Sequence, residues 1–155
     1  MNKLESLEQE AYDSDVKVHN YYLGEDNLKG FYFNGNIAIN TSVDTTTEKA
    51  CVLAEELGHH HTTVGNILNM DISANRKQER QARLWAYNKQ IGLTGLIRAY
   101  EAGCQNRYET ADYLEVTEEA LTECIECYRN KYGEYKIVDN YIIYFIPHLA
   151  IFKRI

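Results

Sequence analysis

Apolar residues in the first dozen positions repeat at three and four: Leu4, Leu7 and Ala11 share one side of a helix predicted over residues 2–12, which Asp13-Ser14-Asp15 ends. The period then drops to two. Val16-Lys17-Val18-His19 reads as one strand, and Gly30 to Asn40 as two more joined at Asn34-Gly35, a dipeptide that tolerates the positive φ angles of a tight hairpin. Together these stretches predict a small antiparallel sheet.

The helical period returns at Thr45-x-x-Glu48, a capping box in which hydroxyl and carboxylate each satisfy an orphan backbone donor, and this helix should run to about His60. After a polar loop, a long helix is expected from about Ala74 to Ile91, closed by Gly92, and a shorter one from Thr94 to Ala102 before Gly103. Asn106-x-x-Glu109 opens a helix to about Leu114, Val116-Thr117 makes a turn, and Thr117 caps a last helix to about Tyr132, a pairing with helix-turn-helix spacing. The β-branched and aromatic run from Tyr141 to Ile146 stops at Pro147 and reads as a buried final strand. The predicted class is α+β. A chain of 155 residues suits one core and contains no repeat or linker, so a single domain over 1–155 is expected, with the sheet and site helices in 1–92 and the later helices and strand in 93–155.

A net charge of −7 sets an unfavourable field for a polyanionic partner, which points away from direct nucleic-acid binding. The same holds locally in the helix-turn-helix-like segment, where residues 107–131 carry three bases against seven acids. That segment admits core packing, recognition of a basic protein, or DNA contact, and its acids oppose the last. The N-terminus lacks a signal-peptide core and no run approaches the roughly 20 apolar residues of a membrane span, so a cytoplasmic location without membrane contact is expected. Cys51, Cys104, Cys124 and Cys127 are too few for a disulfide scaffold, and Cys124-x-x-Cys127 lacks the second ligand pair of a structural zinc site.

Chemistry concentrates in the helix after Thr45. At about 100° per residue, Ala50, Leu53, Ala54 and Leu57 form an apolar face, while Glu55 and His59 fall nearly opposite with Glu56 beside them. Spacing i, i+4 lets Glu55 and His59 converge on one ion, with Glu56 standing next to it without ligating it. On the next long helix, Glu79 is bordered by Ala82 and Ala86, small residues that admit a neighbouring helix and make Glu79 a candidate third ligand. The competing view is a solvated acidic helix face. His60 is an alternative ligand, although the wheel turns it toward the leucine side, and His61 reads as a helix-end or packing residue.

Three segments resemble the ImmA/IrrE-type metallopeptidases, particularly small members from temperate phages and integrative elements: Leu28-Lys29-Gly30-Phe31-Tyr32, the stretch Glu48 to Thr62, and Asn75-Arg76-Lys77-Gln78-Glu79 with Ala82-Arg83 and Trp85-Ala86. The resemblance implies a zincin-like helical pair packed on the sheet, with Glu56 catalytic and Glu55, His59 and Glu79 as metal ligands. Glu55 stands where the usual His-Glu-x-x-His motif has its first His, which implies a harder site, with Zn2+ as cofactor and Mn2+ or another divalent ion also accepted. It further implies a metal-dependent endopeptidase that cleaves a DNA-binding repressor and derepresses a phage or mobile element, with an activating or antirepressor protein as a further partner. The alternatives are a catalytically impaired regulator acting by protein binding and a helix-turn-helix DNA-binding regulator.

Overall fold

The computed structural model describes residues 1–24, 28–62 and 72–155, and forms two compact units, Met1–Gln90 and Ile91–Ile155. The polar loop expected after His60 falls largely outside the described residues.

The first unit begins with α1 (Lys3–Asp13), whose N-terminus Asn2 caps by accepting the Glu5 N–H at 2.8 Å. Three strands follow, β1 (Lys17–Tyr21), β2 (Gly30–Phe33) and β3 (Asn36–Asn40), in the order β1-β3-β2. The β2–β3 hairpin turns at Asn34 and Gly35, with φ of 48° and 81°, as the dipeptide requires. β1 runs parallel to β3, setting Val18 opposite Ile37, so the sheet is mixed where an antiparallel one was expected. Buried Asn40 fixes both ends of the β1–β2 connection. Its amide donates to the carbonyls of Gly24 and Leu28 at 2.9 and 2.8 Å, and its oxygen accepts the N–H groups of Leu23 and Ser42.

Two long helices complete the unit, α2 (Thr46–Thr62) and α3 (Ile72–Gln90). Thr45 caps α2 by accepting the Glu48 N–H at 3.1 Å, while the Glu48 carboxylate pairs with Lys29 at 2.8 Å instead of closing the box. Leu53, Ala54 and Leu57 of α2 join Leu7, Ala11, Ile37, Ile39 and Ala86 in one core cluster, which anchors the apolar face of the wheel.

The second unit comprises α4 (Gly92–Glu101), α5 (Arg107–Leu114), α6 (Glu118–Tyr132) and the antiparallel strands β4 (Tyr135–Val138), β5 (Tyr141–Tyr144) and β6 (Ala150–Lys153). Asn106 and Thr117 cap α5 and α6 as their positions predict, and Glu115 takes the left-handed conformation between them at φ 57°. Leu121, Ile125, Tyr128, Ile143 and Phe145 are buried here. Pattern reading finds β5 alone, because β4 and β6 have four residues each and are mostly half-exposed or exposed. No described helix is long and apolar enough to cross a membrane. None of the four cysteines forms a disulfide; burial pushes the Cys124 thiol up to about 12, which leaves it protonated.

Candidate metal centre

The site depends on how closely α2 and α3 approach. A Cβ at Gly58 would overlap the carbonyl oxygen of Ala82, so the two backbones meet there with no side chain between them. This contact lies one residue before His59 and three after Glu79. It brings the two helices' polar side chains to the same place: one donor atom each from Glu55, His59 and Glu79 lie within 4.8 Å of one another.

His59 Nε2 stands 3.3 Å from Glu79 Oε1, and Arg83 Nε stands 3.5 Å from Glu55 Oε1. Glu79 and Arg83 are one turn apart on α3, so both reach toward the same stretch of α2.

Glu56 departs from the wheel. Its neighbours in sequence place it at the margin of the polar face, but the residue is only 8% exposed. The cause is β2: a Cβ at Gly30 would lie 2.6 Å from Val52 Cγ1 and 3.2 Å from Glu56 Cγ, so only glycine lets the strand settle on this part of α2. Among the described residues Glu56 Oε2 is buried without a hydrogen-bond partner. Burial first, then the charges of Glu55 and Glu79, raises its pKa from 4.5 to about 8.

His60 turns away from the cluster. Its Nδ1 meets the Tyr32 hydroxyl at 2.7 Å, the two rings stack, and the Tyr32 oxygen accepts the Gly35 N–H at 3.1 Å. Partial burial, then His61, lowers the His60 pKa. His61 stacks on Trp85 with ring centroids 4.7 Å apart and meets Glu10 at 3.3 Å, a packing role at the helix end.

One known family matches this arrangement: a peptidase family described as the IrrE N-terminal-like domain, over residues 11–126. The chain belongs to that family. No curated protein and no solved structure matches it. As a member of the IrrE-like peptidase family it carries a metallopeptidase-like domain, and the matched span includes α2 and α3 but ends before β4.

The residues fit a divalent ion. Two carboxylates and an imidazole are accepted ligands, and at bond lengths of about 2.1 Å tetrahedral ligands lie about 3.4 Å apart, close to the 3.3 Å between His59 and Glu79. Three protein ligands leave a position open, as catalytic sites require, and Glu56, with one buried oxygen unpartnered among the described residues, feels the charges of Glu55 and Glu79. Glu55, His59 and Glu79, the ligands offered by the sequence, stand together here. Sequence alone assigns no role to Gly30 or Tyr32 beyond their place in a resembling segment and shows no sign of the Glu55–Arg83 pair; a glycine opening a strand is the signal that points to Gly30.

Proposed function

We propose that this protein is a metal-dependent endopeptidase in which Glu55, His59 and Glu79 hold the ion and Glu56 is the catalytic base. The observation carrying this reading is the buried Glu56 carboxyl, one oxygen of which lacks a hydrogen-bond partner among the described residues and which feels the charges of two members of the three-ligand cluster. A bound divalent ion supplies Lewis acidity toward the scissile carbonyl and the attacking water. Glu56 accepts the water's proton and delivers it to the leaving amide nitrogen. A carboxyl with a pKa near 8 holds that proton readily at neutral pH, and a cation between Glu55 and Glu79 offsets the charges that help raise it, returning Glu56 toward a base.

An extended chain is the natural substrate form. Asn40 N–H donates to the Lys29 carbonyl at 2.8 Å, so by antiparallel alternation Lys29, Phe31 and Phe33 pair with β3. Gly30 and Tyr32 then direct their backbone groups to the outer edge of β2, where a peptide strand can add alongside Glu56.

The substrate we propose is a DNA-binding repressor whose cleavage derepresses a phage or mobile element, following the resemblance to ImmA/IrrE-type enzymes. The acidic surface of residues 107–131 suits a basic protein of that kind and opposes direct DNA binding. Zn2+ is the first candidate ion, and the two carboxylates also favour Mn2+. The second reading, a regulator without catalysis, is favoured by Arg83, whose guanidinium already answers Glu55. Incubating the metal-loaded protein with a candidate DNA-binding repressor separates the two. Two fragments that form with wild-type protein and not with Glu56→Gln support the peptidase, whereas an intact repressor bound in a stable complex supports the regulator.

A further inference from the structure

From the edge of the second sheet we infer a docking site for a protein partner: β4 pairs with an extended segment in which acidic and apolar residues alternate. The site is independent of the metal centre, since its residues belong to the second unit and lie beyond the matched family span.

β4 is an end strand of the order β4-β5-β6, with β5 on one side only. Phe145 N–H donates to the carbonyl of Glu134, directly opposite it in the register, at 2.8 Å. By antiparallel alternation Lys136 and Val138 also pair with β5, while Tyr135 and Ile137 turn their N–H and C=O groups to the outer edge. These two residues are 49% and 45% exposed, so the edge is open to solvent. An open edge of this kind is a template for a further strand.

The side chains on either side of that edge state what the strand should carry. Tyr135 and Ile137 share a face with Tyr144 and Ile142, their partners in register, and offer an apolar surface to every second residue of the added strand. On the other face, Lys136 Nζ lies 5.6 Å from the centre of the Tyr132 ring at the end of α6, and Lys131 Nζ lies 5.3 Å from the same ring. Two cations gathered on one ring repel each other. Among the described residues neither has a carboxylate at ion-pair distance, and Glu134 is the only acid lining the hollow of about 560 Å³ that they share with Tyr135 and Ile137. Carboxylates on the alternate residues of an added strand would meet them there.

The wider charge pattern agrees. Beyond residue 126 the chain carries five bases against two acids, whereas residues 107–126 carry one base against seven acids. A second copy is the poorer occupant, because two β4 strands side by side bring lysines together. Ile137 and Ile142 give a nucleic-acid base no stacking face, and the 45° tilt of Tyr135 against Tyr144 leaves no flat platform.

The test is fluorescence anisotropy of a short fluorescein-labelled peptide alternating Glu and Val, titrated with the full chain in the presence of EDTA. The protein should bind it, and should bind neither a peptide of the same composition with Glu and Val in separate blocks nor an alternating Lys and Val peptide. Lys131→Gln/Lys136→Gln should weaken binding about tenfold, the scale of two exposed ion pairs. Lys153→Gln, which removes the same charge from β6, should match wild type. Ile137→Pro, which removes an outward N–H and no bond to β5, should abolish binding. Absence of binding by wild type overturns the inference, as does full-strength binding by the double-lysine variant or by folded Ile137→Pro. Tighter binding of an oligothymidylate than of the alternating peptide at the same salt also overturns it and assigns the edge to nucleic acid. Far-ultraviolet circular dichroism checks each fold; should Ile137→Pro be unfolded, the double-lysine variant, which alters only exposed side chains, decides the matter.

Discussion

A carboxyl group buried beside two other carboxylates holds its proton well above the usual range, and Glu56 is in that position. Its pKa is raised from 4.5 to about 8, so the folded, metal-free protein binds this proton more tightly than the unfolded chain does. The sign follows directly: the contribution is fully present below pH 4.5 and is lost as pH rises through about 8. Metal-free protein should lose stability on the order of a few kcal/mol across that window, and Glu56→Gln should flatten the loss in urea titrations taken at several pH values. A Glu56→Gln variant with the wild-type pH profile would show that the carboxyl is ordinary. At this scale the sequence displays Glu55 and His59 through spacing alone, because both lie on one helix. The burial of Glu56 is not legible, since it depends on Gly30 of a strand distant in sequence.

Between elements, the site exists because two helices touch at a glycine. Replacing Gly58 by Ala puts a methyl group into the Ala82 backbone, which cannot rotate away. The overpacking cost of about 1–3 kcal/mol exceeds the up to about 1 kcal/mol gained in helix propensity. Gly58→Ala should therefore lower stability and weaken metal binding together, read by denaturant unfolding and chelator competition; a more stable variant would mean the helices do not meet as described. Gly30→Ala should act differently. Its methyl presses on Val52 and Glu56, moving β2 off the site, so kcat should fall with metal affinity kept. Local signals make most elements readable: Thr45, Asn106 and Thr117 cap helices, and Asn34-Gly35 turns a hairpin. Strand pairing is less readable, because the parallel placement of β1 is a long-range choice held by Asn40, and β4 and β6 lack a clear alternation.

Across the whole chain, the net charge of −7 and the acidic α5–α6 region are the reason the proposed partner is a basic protein and not nucleic acid. The division at Gln90 is not written in any linker, since α3 ends only two residues before α4 begins. It does provide a clean probe. The sole tryptophan, Trp85, stacks on His61 in the first unit, so its fluorescence follows the unfolding of the unit that carries the site. Saturating Mn2+ or Zn2+ at about 100 times the dissociation constant should add about 2.7 kcal/mol and raise the Trp85 midpoint by several degrees, with no rise in Glu79→Gln. An equal rise in that variant would place the ion elsewhere. The central claim, that Glu55, His59 and Glu79 hold an ion which Glu56 serves without ligating, is tested most directly by native mass spectrometry of the metal-loaded protein. The account predicts one divalent ion per chain in wild type and in Glu56→Gln, and none in His59→Ala; a metal-free wild type, or an ion lost from Glu56→Gln and kept in His59→Ala, contradicts it.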